Sequence, residues 1–177
     1  ANDTAEAQRE ILNIMQRAGA KTVIKSKSMV TEEIHLNEFL EEHHIESLES
    51  DLGEYIIQLL GQKPYHIVTP AMHLSKEDIA KLFHEKFGTP LDFTPEQLTM
   101  KARELLREKY LRADIGISGA NFVLADTGSI AISENEGNAR LTTTFPRIHI
   151  SVTGIEKLIP SIMDLDLYWP MLATHGT

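Results

Sequence analysis

Three charged residues and an amide in the second half of the chain could together bind and act on a small anion. They follow the apolar run Ile130–Ser133 and are Glu134, Glu136, Asn138 and Arg140. The planar guanidinium of Arg140 can bind a substrate carboxylate through two parallel hydrogen bonds, and a glutamate such as Glu134 can serve as a covalent nucleophile. The alternative is an exposed acidic loop in which Arg140 pairs internally, the usual fate of surface charges.

Small polar side chains beside glycines form a second candidate site upstream. Its members are Gly119, Asn121, Asp126, Thr127, Gly128 and Ser129. Gly119 would let the backbone approach a ligand, the amide and hydroxyl groups would orient that ligand, and Asp126 could act as a base if shielded from water. The alternative is a tight turn, because hairpins require Asp, Gly and Ser in any case. Ser118 lacks the G-x-S-x-G spacing of a nucleophile elbow, so serine hydrolysis is not expected.

Two lysines and two serines near the start of the chain could hold a phosphate or a carboxylate. These residues are Lys25, Ser26, Lys27 and Ser28. They lie between a predicted strand and a predicted helix, where free backbone N–H groups and the helix dipole favour an anion. The glycine-rich spacing of a phosphate-binding P-loop is absent. The alternative is a capped helix with two solvated lysines.

Alternating helix and strand patterns supply the elements that must position these residues. Capping patterns predict helix starts at Ser75 and Thr94, and glycines predict helix ends at Gly19 and Gly61. Short apolar runs predict strands at 22–24, 45–48, 66–68, 115–118 and 147–153. This order predicts the α/β class, with a mostly parallel sheet flanked by helices.

Several further elements bear on where the candidate residues lie. The apolar runs 122–125 and 130–133 are predicted to be buried strands joined by a tight turn. Polar residues that follow them would lie where strands end, which is where open α/β sheets bind ligands. The segment that follows Ser28 is predicted to be one helix, which carries Leu36, Phe39, Leu40 and His43 at core spacing. Residues 155–167 are predicted to form a helix interrupted near Pro160, and this proline could equally lie in the first turn of a later helix.

The composition is ordinary for a globular protein and excludes several functions. The 177 residues carry a formal net charge of −9, which argues against binding to nucleic acid or to anionic membranes. There is no cysteine, so the chain holds no disulfide, thiol nucleophile or iron–sulfur cluster, and the scattered histidines predict no metal site. No apolar run is long enough for a membrane span and no signal-peptide pattern is present, so we expect a cytoplasmic location.

Four long segments, in order, resemble one known family. They are Lys25–Glu41, Glu49–Leu59, Ala113–Leu141 (ADIGISGANFVLADTGSIAISENEGNARL) and Pro146–Ser161. Together they are similar to the iron–sulfur lactate-utilisation proteins of the LutB type and, more broadly, to the LUD domain. The resemblance implies a fold like that of sugar-phosphate isomerases and CoA transferases (the NagB/RpiA/CoA-transferase fold). It also implies membership of a multi-subunit complex that oxidises L-lactate to pyruvate through iron–sulfur centres.

The resemblance also implies that this chain is part of a longer protein. Members of the family begin upstream of Ala1 and continue past Thr177 into a ferredoxin-like cysteine region. We therefore expect residues 1–177 to be one LUD domain truncated at both ends, with the [4Fe–4S] clusters in the missing C-terminal part and no cofactor in this chain.

Two functions from different classes are open at this stage. In the first, the domain is a non-catalytic part of a lactate-oxidising complex and binds another subunit or a small carboxylate or phosphate. In the second, it is an enzyme of its own that transfers CoA or isomerises a sugar phosphate through Glu134 or Asp126, since CoA transferases of similar fold use a glutamate nucleophile.

Overall fold

The secondary structure consists of short strands and helices of varied length. The computed structural model describes residues 1–62, 69–134 and 136–175, and the predicted strand 66–68 lies outside the described residues. The strands are β1 (Thr22–Lys25), β2 (Glu46–Glu49), β3 (Ile115–Ser118), β4 (Phe122–Leu124), β5 (Ser129–Ala131), β6 (Ile148–Ser151) and β7 (Leu158–Ile159). The helices are α1 (Thr4–Ala18), α2 (Met29–Glu33), α3 (Leu36–Glu42), α4 (Leu52–Leu60), α5 (Lys76–Phe87), α6 (Pro95–Arg112), α7 (Asn138–Thr144) and α8 (Leu165–His175).

Four parallel strands form the main sheet, in the order β2-β1-β3-β6. Lys25 is paired with Glu49 on one side and with Ile117 on the other, and Ser118 is paired with Ser151. The carboxyl ends of all four strands therefore meet at one edge of the sheet. The predicted α/β class, with a mostly parallel sheet flanked by helices, is confirmed.

Helices pack against both faces of the main sheet. On one face, Met15 of α1 lies in a buried cluster with Ile115 of β3. On the opposite face, Leu106 of α6 lies in a buried cluster with Ile24 of β1. Successive residues of a strand point to opposite faces, and burial of each such side chain contributes roughly 1.5–3 kcal/mol. The buried sheet thus fixes the positions of the strand ends.

Side-chain caps fix the helix boundaries that the sequence predicts. In α5 and α6, the hydroxyls of Ser75 and Thr94 accept hydrogen bonds from the backbone N–H groups of Asp78 and Gln97, whose side chains bond back to the capping residues. This reciprocal pattern satisfies N–H groups that the first helical turn leaves open. At the end of α4, Gly61 takes the left-handed conformation with φ 66°, which glycine adopts without strain.

The segment around residues 122–131 forms a second sheet, in the order β5-β4-β7. The predicted tight hairpin between β4 and β5 is confirmed, but its predicted burial is wrong for most of its length. Leu124 is buried, whereas Phe122 and Ile130 are only partly buried. This sheet lies beside the main one, and Phe122 packs against the aromatic rings of Tyr168 and Trp169 in α8.

Two predicted helices also differ from the observed elements. Residues 155–164 form two 3₁₀ turns separated by β7, and α8 begins at Leu165. The interruption predicted near Pro160 is present, because Pro160 lacks a backbone donor and its carbonyl accepts a hydrogen bond from Asp126 of the hairpin. The helix predicted around Leu40 is broken at His35, which has φ 50° and separates α2 from α3. His43 is an exposed residue after α3, not a core residue.

We expect Gly116→Ala to destabilise the protein by about 1–3 kcal/mol, because a methyl group there would overpack a rigid contact. A Cβ atom on Gly116 would lie 3.0 Å from the Thr142 carbonyl carbon and closer still to its oxygen, so α7 would have to move away from β3. The matched control is Gly154→Ala, whose Cβ would have the flexible end of the Glu156 side chain as its nearest neighbour. Chemical denaturation of both variants measures the difference, and equal stabilities would contradict this account.

Candidate functional site

A buried lysine at the end of β1 lies between two carboxylates. Lys25 Nζ is 2.6 Å from Glu49 Oε1 and 3.0 Å from Glu32 Oε1. Lys25 and Glu49 are both buried, whereas the Glu32 side chain is 45% exposed. The contact follows from the sheet register, since Lys25 and Glu49 are Cα partners on neighbouring strands. Asn37 Nδ2 donates a further hydrogen bond to Glu49 Oε1 at 2.6 Å.

These carboxylates keep the Lys25 ammonium charged. Burial by itself lowers the pKa of this group, but the attraction of Glu49 and Glu32 outweighs burial and raises the pKa above its ordinary value. Lys25 was predicted to hold a ligand anion together with Lys27. Its ammonium is instead bound by protein carboxylates, and Lys27 Nζ lies 3.7 Å from Asp51 Oδ2. Sequence reasoning did not identify Glu49, because the pairing depends on register.

Glu54, in the first turn of α4, adds a third carboxyl to this buried cluster. Burial, together with the neighbouring charges of Glu49 and Asp51, raises the pKa of Glu54 to about 9. With both carboxyls ionised, Glu49 Oε2 and Glu54 Oε2 are buried and have no hydrogen-bond partner. A proton on Glu54 removes this defect, because the protonated carboxyl can donate to Glu49. We name Lys25, Glu49 and Glu54 the buried charge cluster.

The predicted residues between β1 and α2 lie beside the end of β3. The Ser26 N–H donates to the Ile117 carbonyl at 2.9 Å, and Ser28 caps α2 by accepting a hydrogen bond from the Thr31 N–H. A Cβ atom on Gly119 would lie 2.9 Å from Ser28 Oγ. Gly119 therefore permits close contact with a protein serine, and the structure brings this predicted residue together with 25–28.

A cleft of about 640 Å³ lies between β5, α7, β6 and α8. Its lining combines polar and apolar side chains: Ile130, Ile132, Ser133, Glu134, Ala139, Arg140, Thr143, His149 and Trp169. Glu134 Oε1 is 3.1 Å from Arg140 Nε, and Glu134 Oε2 accepts the Arg140 backbone N–H at 2.9 Å. The Arg140 side chain is 79% exposed and that of Glu134 is 15% exposed. The salt bridge thus orients an accessible guanidinium in the cleft.

His149 is a cleft residue that sequence reasoning did not select. Its Nε2 lies 2.8 Å from Ser118 Oγ, which is buried at the end of β3. Burial lowers the pKa of His149 below its ordinary value. His149 on β6 is the register partner of Gly116 on β3, and Ser118 lies two residues further along β3. The strand register therefore brings the side chains of His149 and Ser118 together. No local motif marks this pair.

The other predicted residues are divided between the two ends of the hairpin. Asn121 is at the end near the cleft, where its Oδ1 accepts the Ser133 N–H at 2.7 Å. Asp126, Thr127, Gly128 and Ser129 lie at the opposite end and are exposed. A strand of three residues spans roughly 10 Å, which separates these exposed residues from Asn121. Asn138 begins α7 and its Oδ1 accepts the Ala139 N–H at 2.8 Å.

The environment of Asp126 differs from the shielded one that a general base requires. Its Oδ2 accepts the Ile162 N–H at 3.0 Å, and this bond is the main reason that the pKa of Asp126 is lowered. The carboxyl is exposed and its hydrogen bond joins the hairpin to the segment after β7.

The donor groups of the described residues do not fit an iron–sulfur cluster or another metal centre. The chain has no cysteine, and thiolates are the usual ligands of such clusters. Among the described residues, no group of three or more His, Asp or Glu side chains could hold a metal ion. In the same part of the chain, no helix is long and apolar enough to cross a membrane.

Comparisons with known proteins agree with the family that the four quoted segments resemble. A family comparison matches residues 1–177 to the LUD domain. The chain is 49% identical to lactate utilization protein B of Bacillus pumilus (strain SAFR-032) over 168 residues, which cover 94% of the chain and 36% of that protein. It is 46% identical over 173 residues, 98% of the chain and 36% of the relative, to the uncharacterized electron transport protein YkgF of Escherichia coli (strain K12). No solved structure matches the chain significantly.

The fold and the site define an α/β domain with a polar cleft beside the ends of parallel strands. The chain belongs to the LUD domain family. It spans about 36% of the length of the curated relatives that it matches.

We expect Lys25→Met to destabilise the fold by about 3–5 kcal/mol, because it leaves the Glu49 carboxylate buried without its cation. The matched control is Lys101→Met, which removes a lysine whose partner Glu104 has a side chain 69% exposed and is expected to cost about 1 kcal/mol or less. Urea denaturation of both variants gives the free energies of unfolding. A loss no larger for Lys25→Met than for Lys101→Met would refute the assigned importance of the buried pair.

We expect Glu54→Gln to stabilise the protein at pH 8 and to have little effect near pH 5. The pKa of Glu54 is raised in the folded state, so its favourable contribution is complete below the unfolded pKa and declines as pH rises toward about 9. Glutamine imitates the protonated carboxyl and removes this decline, a gain of about 1–3 kcal/mol at pH 8. Free energies of unfolding measured from pH 5 to 8 test the prediction, which fails if the parent and the variant show the same pH slope.

Proposed function

We propose that this chain is the LUD-domain portion of a longer cytoplasmic protein that takes part in the oxidation of L-lactate to pyruvate. We further propose that the cleft binds a small carboxylate such as lactate. The names of the relatives support the first part, since they refer to lactate utilization and to electron transport. The coverage of these relatives supports the view that the chain is one part of a longer protein.

The accessible guanidinium of Arg140 is the observation that carries the binding proposal. Its Nε is used by Glu134, and within the described part of the chain Arg140 has no second ion pair. The terminal nitrogens can therefore form charge-assisted hydrogen bonds with the carboxylate of a ligand. Ile130, Ile132 and Trp169 offer apolar contacts for the remainder of a small acid.

Electron transfer in this proposal belongs to other parts of the protein or to other subunits of a lactate-utilisation complex. The [4Fe–4S] clusters that the family resemblance implies need thiolate ligands, which this chain lacks. The role proposed for the domain is to bind the small acid or a neighbouring subunit.

The geometry favours this role over that of an independent CoA transferase or sugar-phosphate isomerase. Both oxygens of Glu134 are occupied by Arg140, which weakens the carboxylate as a nucleophile. Asp126 is exposed and has a lowered pKa, so it is a poor general base. Turnover of CoA esters or sugar phosphates by the purified protein would instead support the enzymatic role.

We expect Arg140→Gln to weaken L-lactate binding by about 10- to 100-fold, because it removes hydrogen bonds between charged groups. Isothermal titration calorimetry of the purified protein measures the affinity. The matched control is Arg103→Gln, which changes an exposed arginine of α6 that does not line the cleft and should leave binding unchanged. Failure of the parent protein to bind lactate, or equal binding by the Arg140 variant, would overturn the proposal.

A further inference from the structure

The hydroxyl of Ser118 contacts two polar atoms but has only one proton to donate. Ser118 Oγ donates to the Gly119 carbonyl at 2.9 Å and also lies 2.8 Å from His149 Nε2. A carbonyl can only accept, whereas an imidazole nitrogen either donates or accepts, depending on the tautomer. Both contacts are hydrogen bonds only if His149 Nε2–H donates to Ser118 Oγ.

This assignment fixes the proton on one side of the His149 ring. Burial lowers the pKa of His149, so the ring is neutral at pH 7 and carries a single N–H. With that proton on Nε2, Nδ1 has an unshared electron pair and acts as a hydrogen-bond acceptor. Within the described part of the chain, Nδ1 has no protein partner, and the ring lines the same cleft as Arg140.

We infer that the cleft selects 2-hydroxy acids over 2-oxo acids, with Arg140 binding the carboxylate and His149 Nδ1 accepting a hydrogen bond from the 2-hydroxyl group. Ser118 is the positioning residue, since it holds the ring in the accepting tautomer. The inference rests on the carboxylate-binding role proposed for the cleft and adds the substrate class to it.

The chemical basis of the selection is the difference between a hydroxyl and a ketone at the same carbon. A 2-hydroxyl group can donate a hydrogen bond to His149 Nδ1. A 2-oxo oxygen can only accept, so it would face the Nδ1 acceptor without a proton between them. An acceptor left without a donor in a partly buried site costs about 1–3 kcal/mol, which corresponds to roughly 5- to 150-fold in affinity. Propionate has no oxygen on carbon 2, so it avoids the repulsion between two acceptors but gains no hydrogen bond to Nδ1. The expected order of affinity is therefore lactate first, propionate second and pyruvate last.

The experiment titrates the purified protein with L-lactate, propionate and pyruvate by calorimetry. We expect lactate to bind about tenfold or more tightly than pyruvate in the parent protein. His149→Phe should bring the three affinities together without abolishing carboxylate binding. The matched control is His43→Phe, which changes an exposed histidine outside the cleft and should preserve the preference.

A second measurement keeps the test decisive if the His149 variant fails to fold. NMR of the imidazole nitrogens reports directly which nitrogen of His149 carries the proton. We expect protonated Nε2 in the parent protein and a mixture of tautomers in Ser118→Ala, with a reduced preference for lactate in that variant. A proton on Nδ1 in the parent protein would overturn the inference.

The outcomes separate the two proposals. Equal affinities for the three acids, all dependent on Arg140, would refute the selection of 2-hydroxy acids and leave the carboxylate site intact. Absence of binding by every acid would refute the carboxylate site itself, and with it the selection.

Discussion

A positive charge buried where the strands end is the constraint on which the rest of this fold depends. Removing an ammonium from water costs several kcal/mol, and only well-placed partners offset that cost. Lys25 obtains these partners from Glu49 and Glu32. Because Glu49 is the register partner of Lys25, a slip of β2 against β1 would leave both charges buried and unpaired. The ion pair therefore specifies the alignment of the sheet as well as contributing to its stability.

The same strand alignment also positions the cleft residue His149, through contacts between neighbouring strands. Once β1 is fixed, the Ser26 N–H bonds to Ile117 and holds β3 in place, and Ser118 then follows at the strand end. β6 pairs with β3 and brings His149 to Ser118. The cleft residue His149 thus depends on a series of backbone contacts that begins at Lys25. A rigid sheet suits the binding role proposed for the cleft, since binding groups need supports that do not move.

Much of the fold could be predicted from the sequence, but the contacts that matter most in the site could not. Capping residues such as Thr94 act within one helical turn, so local patterns located α6 correctly. The pairs Lys25–Glu49 and Ser118–His149 join residues far apart in the chain, and only strand register brings each pair together. The helix predicted at 155–167 has the predicted interruption near Pro160, but hydrogen bonding to the hairpin keeps the chain extended there and leaves 3₁₀ turns on both sides.

The buried charge cluster and the cleft differ in whether their charges are paired within the protein or accessible to a ligand. In the cluster, each charge is already matched by protein groups, and a proton on Glu54 leaves one cation facing one ionised buried carboxylate. A ligand anion placed there would have to displace Glu49 and leave that carboxylate without its cation, at a cost of several kcal/mol. Arg140 is bound by Glu134 at Nε yet remains largely exposed, so it can bind an anion without breaking its own support. The two predicted anion sites therefore differ: Lys25 is paired with buried protein carboxylates, whereas Arg140 has an accessible charge.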